Sequence, residues 1–120
     1  MSALSSQLGG QGKVTATITD SGDDVALGPV DVQVHSNLGF YIYNSLAGGD
    51  DITSVTLESA PEASGPWVEV ATLNAADISA ESAEYSSQIN VALKFIRVLA
   101  ACGAGNTTQS TIWLCTNARA

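Results

Sequence analysis

Few residues in this chain have side chains that could carry out catalysis. The 120 residues include one histidine, His35, and two cysteines, Cys102 and Cys115. Acid–base mechanisms near neutral pH most often use a histidine. His35 alternates with valines in a pattern that places it on the outer face of a strand. Neither cysteine stands in a sequence context typical of a nucleophile, and no Gly-x-Ser-x-Gly motif occurs. We predict that the protein is not an enzyme and uses no cofactor.

Two pairs of adjacent carboxylates, Asp23-Asp24 and Asp50-Asp51, lie in predicted turns. Glycosidase carboxylates must face each other across a sugar, whereas neighbouring turn residues are normally solvated. Residues 20–24 offer oxygen ligands for calcium, but they lack the twelve-residue spacing and the terminal glutamate of an EF-hand. Two cysteines and one histidine also do not make a transition-metal ligand set. We therefore predict no metal site.

Cys102 and Cys115 flank a glycine-rich loop at 103–109, which we predict to join the last two strands as a hairpin. A disulfide would require the two cysteines to lie opposite each other, and the centre of that loop does not favour this register. The sequence shows no secretory signal, so we expect synthesis in a reducing cytoplasm. Two buried free thiols are therefore favoured over a disulfide, and the bonding state stays open.

Composition excludes several classes of protein. The chain is 45% hydrophobic and 13% charged, which excludes an intrinsically disordered protein. Twelve acidic and four basic residues give a net charge of −8, so the electrostatic attraction to phosphate that drives nucleic-acid binding is absent. No apolar run approaches the roughly 20 residues needed to cross a bilayer. We expect a soluble domain that binds neither nucleic acid nor membrane.

The pattern along the chain predicts an all-β protein. Residues 1–12 are uncharged and aperiodic, as in a flexible N-terminal arm. Residues 13–120 then form a single domain, in which period-two alternation marks about eight short strands. The clearest alternation is Val30, Val32 and Val34 against polar neighbours. Residues 74–84 have room for at most one short helix. The expected fold is an antiparallel β-sandwich or jelly roll.

Aromatic residues are the best candidates for a binding surface. Near the C-terminus, Ile112 and Leu114 lie on one face of a strand with Trp113 and Cys115 on the other, so both faces of that strand are apolar. Such a strand lies between two layers or is covered by another chain. The interface candidates are Leu4, Leu8, Tyr41, Tyr43 and Trp113. The alternative is that Tyr41, Tyr43 or Trp113 stacks on a sugar.

Two stretches carry a family resemblance. Residues 55–73, with Gly65-Pro66-Trp67 before Val68-Glu69-Val70-Ala71, and later Lys94-Phe95-Ile96-Arg97-Val98, resemble the pattern S-x-D-G-x-W-x-x-V-A followed by R-Y-I-R-V. A similar pattern occurs in small structural proteins of tailed bacteriophages and in discoidin-like carbohydrate-binding domains. The Ser/Ala/Gly/Thr-rich composition and the uncharged arm look most like those of a phage capsid decoration (cement) protein or a related small virion structural protein.

The resemblance implies a function without supplying catalytic residues. A decoration protein would bind the outside of an assembled capsid and clamp neighbouring major capsid subunits, often as a homotrimer at a local threefold axis. The major capsid protein would be its partner, and the virion surface its location after synthesis in the host cytoplasm. The alternative function is a discoidin-like carbohydrate-binding module of a virion or tail component.

Overall fold

Eight antiparallel strands in two sheets make up a computed structural model, which describes residues 13–21, 24–32, 35–72, 77–89 and 94–118. The all-β fold predicted from the sequence is confirmed. The strands are β1 (Lys13–Ile18), β2 (Asp24–Asp31), β3 (His35–Asn44), β4 (Ile52–Ala60), β5 (Val68–Thr72), β6 (Ala83–Ile89), β7 (Phe95–Cys102) and β8 (Thr108–Ala118). The described residues form no helix, and so none that is long and apolar enough to span a membrane.

The strand order identifies the sandwich as a jelly roll. Sheet A has the order β1-β8-β3-β6, and sheet B has the order β2-β7-β4-β5. The chain therefore pairs its first strand with its last, its second with its seventh, its third with its sixth and its fourth with its fifth. This nested pairing is that of one long antiparallel ribbon wound into two layers, which is the jelly-roll arrangement.

The core lies between the two sheets and follows the alternation seen in the sequence. Ile42 of β3 and Ile112 of β8 are opposite each other in sheet A, and both are fully buried. In sheet B, Leu57 and Val98 form another buried cross-strand pair. Each such side chain stabilises the fold by about 1.5–3 kcal/mol. The core also includes Ile18, Leu27, Val30, Val32, Phe40, Ile52, Val55 and Ile96.

Two local predictions differ from the structure. The valine alternation at 30–34 does not form one strand, because β2 ends at Asp31 and β3 begins at His35. Val32, which lies between them, still faces inward as predicted and is 1% exposed. The loop at 103–107 does not close a hairpin, because β7 belongs to sheet B and β8 to sheet A. It crosses from one layer to the other.

Candidate interaction surface

One row of side chains crosses the outer face of sheet A. Trp113 of β8 is opposite Lys13 of β1 on one side and opposite Tyr41 of β3 on the other. Tyr41 is in turn opposite Tyr85 of β6. Residues directly opposite each other in antiparallel strands project to the same face. The order Lys13, Trp113, Tyr41, Tyr85 therefore spans all four strands, and we call it the aromatic row.

Members of the aromatic row contact each other and solvent. The ring centroids of Tyr41 and Tyr85 are 4.6 Å apart, with their planes tilted by 38°. The Lys13 ammonium group lies 5.8 Å from the centroid of the Trp113 ring, within range of a cation–π interaction. Tyr41 is 47% exposed and Tyr85 48% exposed, whereas Trp113 is partly buried. Two large aromatic side chains thus remain half exposed on an open sheet face.

Tyr43 lies one step along the same face. It is opposite Thr111 of β8, which is itself opposite Thr15 of β1. The two threonine Oγ1 atoms are 3.0 Å apart and hydrogen-bonded. Tyr43 is partly buried. A second row, containing hydroxyl groups, therefore runs beside the aromatic row.

The structure places three of the five predicted interface residues on this one face, namely Tyr41, Tyr43 and Trp113. Leu4 and Leu8 lie outside the described residues, as does the rest of the predicted arm. Sequence reasoning missed Tyr85 as a member of the surface. Its aromatic type was visible, but only the register of β6 against β3 places it beside Tyr41.

The outer face of sheet A differs in charge from the rest of the molecule. Its four strands contain a single acidic residue, Glu84. Glu84 is opposite Ile42, so it does not share the outward face of Tyr85, although its side chain is exposed on the edge strand β6. The chain as a whole has twelve acidic residues and a net charge of −8. Among the described strand residues, this face therefore carries Lys13 and no carboxylate.

The outer face of sheet B holds a compact stack instead of an open aromatic row. The Arg97 guanidinium lies 4.4 Å from the centroid of the Trp67 ring. Its Nε and Nη2 atoms are each 2.7 Å from Oε1 of Glu58. Gly28 of β2 has a φ of +109° and packs against β7, the strand that carries Arg97. A Cβ atom at Gly28 would lie 2.6 Å from the carbonyl oxygen of Ile96. These polar groups satisfy one another, so the stack is structural.

Carboxylates at one end of the sandwich are engaged by the loops. Oδ2 of Asp24 accepts hydrogen bonds from Thr19 Oγ1 at 2.6 Å and from the Thr19 amide at 2.7 Å. These bonds lower the pKa of Asp24 below its ordinary value. The Asp50 and Asp20 carboxylates accept from the amides of Gly103 and Gly105. No group of three or more potential metal ligands occurs within the described part of the chain.

Both cysteines are free, and their surroundings differ. Cys102 is buried, and burial raises the pKa of its thiol, with a further contribution from the negative charges of Asp50, Asp20 and Asp24. A thiol held in its neutral form is a poor nucleophile.

Cys115 is exposed on the outer face of sheet A, opposite Gly39. The prediction of free thiols is therefore confirmed, and the prediction that both are buried is wrong for Cys115.

The lone histidine contributes its backbone to the first position of β3. Its side chain lies outside the described residues.

A shallow groove between two loops at the other end of β3 is polar and is lined by Gly48, Gly49, Asp50, Gly105, Asn106 and Thr107. What the described residues do bring together is an aromatic, hydroxyl-bearing, acid-free sheet face. Aromatic side chains of this kind can interact with a partner by stacking and by apolar contact.

Comparison with solved structures supports the fold. The chain is similar to the crystal structure of PirA, with a TM-score of 0.56 and 12% identity over 87% of this chain and 94% of PirA. It is more loosely similar to a protein of the disulfide-linked pili of Bacillus endospore appendages, with a TM-score of 0.46 and 12% identity over 90% of this chain and 86% of that one. The SPBc2 prophage-derived protein YomS has a TM-score of 0.39 and 12% identity, covering 86% of this chain and 95% of YomS.

These likenesses concern architecture. At 12% identity, the similarity to PirA shows a shared fold and nothing finer. The other two are too loose to bear on this chain. No protein-family model matches the sequence, and no curated protein matches it significantly.

Proposed function

We propose that this protein is a non-enzymatic structural component of a virion, which binds the outside of an assembled phage capsid and clamps neighbouring major capsid subunits. The observation that carries the proposal is the aromatic outer face of sheet A, on which the described strand residues place no outward carboxylate. Exposed aromatic side chains on a face depleted of charge are typical of the cores of protein–protein interfaces. The face is suited to being covered by another polypeptide in an assembly.

A clamp requires contact over a wide area and no turnover of substrate. Many modest contacts must together outweigh the entropy lost when each copy is immobilised. Residues 1–12, with Leu4 and Leu8, would add such contacts to a neighbouring subunit. The acidic charge of the chain also suits a protein that stays outside the shell, away from packaged nucleic acid. The resemblance to decoration proteins supports the same role and implies that several copies act together.

Co-sedimentation with empty heads of the phage that encodes the protein tests the proposal. We expect saturable binding to heads and no binding to unassembled major capsid protein, because a clamp needs neighbouring subunits. A variant that begins at Lys13 should occupy fewer sites at equal concentration. Absence of binding to heads by the full chain would overturn the proposed function, and unchanged occupancy by the shortened chain would overturn the role of residues 1–12.

A carbohydrate-binding function is the second candidate. The observation in its favour is that Trp113 and Tyr41 are neighbours on a flat face next to the Thr15 and Thr111 hydroxyls. Titration of tryptophan fluorescence across a glycan panel tests it. A saturable response that disappears in Trp113→Ala and persists in Trp67→Phe, with both variants folded, would favour this function over the clamp.

A further inference from the structure

The aromatic row is complementary to a second copy of itself. We propose that two copies of this chain pair through the outer faces of sheet A, about a two-fold axis that runs parallel to the strands between β3 and β8. The proposal deepens the proposed function, because it names a second copy of this chain as the polypeptide that covers this face. Only the claim that the pair acts on a capsid rests on the proposed function.

The argument begins with the order of side chains in the row. A two-fold axis along the strands reverses the order across the sheet. Lys13 then faces Tyr85 of the second copy, and Trp113 faces Tyr41 of the second copy. Both pairings are favourable, one as a cation over an aromatic ring and the other as a contact between two aromatic rings.

The alternative two-fold axis is unfavourable. An axis along the row would place each residue opposite its own counterpart, so that Lys13 met Lys13. Like charges brought together at an interface oppose binding. The row therefore favours the axis along the strands over the axis along the row. An interface of this kind is isologous and closes at two copies.

Net charge favours the same face. Each copy carries a charge of −8, so two copies repel each other over most of their surfaces. The outer face of sheet A carries Lys13 and no described carboxylate, so pairing there avoids direct contact between acidic groups. By contrast, the strands of sheet B include Asp24, Asp31, Glu58 and Glu69.

The area of the face predicts the strength of pairing. Four strands about 4.8 Å apart, each contributing about six residues of about 3.4 Å, give a flat footprint of about 400 Å² per copy. Even with side-chain relief, this is about half of the roughly 800 Å² per partner that a standard specific interface buries. We therefore expect a weak, reversible dimer that forms only at high protein concentration, and not an obligate one.

Pairing also joins two clamps. In a face-to-face dimer, the sheet B layers of the two copies point away from each other. The aromatic row is then covered by the second copy, so each copy would contact a capsid subunit through surfaces other than this face, and the pair could bridge two subunits. Linking two weak binding surfaces raises the overall affinity without any new contact, provided both can engage at once.

Cys115 provides a probe that is already in place. It lies on the outer face of sheet A, two residues along β8 from Trp113 and opposite Gly39 of β3. Under the proposed axis, Cys115 lies over Gly39 of the second copy, which has no side chain to block it. The two thiols are then offset by about one strand spacing in the direction across the strands. The gap between the two packed sheets adds at most roughly 10 Å. A short bismaleimide should link them.

Sedimentation velocity and cross-linking together test the proposal. From low to high micromolar concentration, the full chain should pass from monomer to dimer, and a short bismaleimide should produce a covalent dimer. The variants Tyr41→Thr, Tyr85→Thr and Lys13→Glu should each weaken dimerisation at least tenfold. The three positions are exposed, and threonine favours strands, so the variants should still fold, which circular dichroism will verify.

The matched control is Val68→Thr at the edge of sheet B. Val68 is 64% exposed, and this variant should dimerise like the parent protein.

Several outcomes would overturn the pairing. These are a monomer at all concentrations, a trimer, a dimer that the three sheet A variants leave unchanged, or a covalent dimer that persists in Cys115→Ala. Failure of the proposed function is a separate result. A dimer that passes these tests and never binds capsids overturns the clamp alone, whereas a monomer that clamps capsids overturns the pairing alone.

Discussion

The Thr108 hydroxyl donates a hydrogen bond of 2.6 Å to the side-chain oxygen of Asn44, and both residues are fully buried. The Asn44 amide donates two more, each of 2.8 Å, to the carbonyl oxygens of Asp50 and Ile78. One side chain at the end of β3 thus joins two loops to the first residue of β8. Buried polar groups stabilise a fold only when their partners are present.

We expect Asn44→Leu to be among the most destabilising changes to this protein. It leaves the Asp50 carbonyl oxygen and the Thr108 hydroxyl without their Asn44 partner, at about 1–3 kcal/mol for each group before relaxation. The Ile78 carbonyl oxygen loses one of two hydrogen bonds and keeps the one from the Ile52 amide. A loss of about 3–5 kcal/mol in the free energy of unfolding should appear in urea denaturation. Thr108→Val removes one bond and should cost less than Asn44→Leu. Equal costs for the two variants would show that the bonds to Asp50 and Ile78 contribute nothing.

Ser110 gives the opposite expectation. Its side chain is fully buried in β8, and its hydroxyl oxygen has no hydrogen-bond partner. An unsatisfied buried hydroxyl carries a desolvation cost, so Ser110→Ala should raise the free energy of unfolding by about 1 kcal/mol. Thermal unfolding of the two proteins under identical conditions measures the difference. A clear decrease in stability would mean that the hydroxyl is satisfied in solution.

Val32 tests the inward face of the valine segment. It is 1% exposed, so Val32→Asp buries a charge that has no partner. We expect a loss of several kcal/mol, enough to unfold a domain of ordinary stability. The matched control is Val68→Asp, at a position that is 64% exposed, which should stay folded. Cooperative unfolding of Val32→Asp near the parent temperature would contradict the inward placement.

Asp24 should make stability depend on pH in the acid range. The hydrogen bonds from Thr19 lower its pKa in the folded state below the ordinary value of 3.8. A carboxyl group with a lowered pKa in the fold contributes stability that is present well above pH 3.8 and is lost as pH falls through the folded pKa.

The pH dependence is measured by comparing Asp24→Asn with the parent protein. The variant should be less stable at neutral pH, and the difference should narrow as the pH falls. Asp77→Asn, at an exposed position, controls for the loss of one negative charge. A gap that stays constant from pH 7 to pH 2 would contradict the assignment.

The two cysteines should react at very different rates. Cys115 is exposed, whereas Cys102 is buried and its thiol pKa is raised by desolvation and by nearby carboxylates. Maleimide at neutral pH should label one thiol of the native protein, and Cys115→Ala should abolish this label. The unreduced protein in denaturant should show two thiols. No free thiols in denaturant would mean that a disulfide had formed.

Local pattern was sufficient for the class of fold and for most strands. The alternation of Val14, Ala16 and Ile18 with threonines is typical of a strand, because a strand projects successive side chains to opposite faces. A short turn with Pro61 and Gly65-Pro66 lies between β4 and β5, which pair as a hairpin. The end of β2 and the crossing at 103–107 were missed, because both depend on which sheet the next strand joins.

The residues alone were enough to predict an acidic all-β domain with one histidine, two cysteines and scattered aromatic residues, among which Tyr41, Tyr43 and Trp113 were candidates for contact. The row formed by Lys13, Trp113, Tyr41 and Tyr85 became visible only in the fold, as did the burial of Cys102 and the exposure of Cys115. Alternation is a property of neighbouring residues, whereas cross-strand register joins residues far apart in the chain. In a jelly roll, where the first strand pairs with the last, the candidate interaction surface therefore depends almost wholly on register.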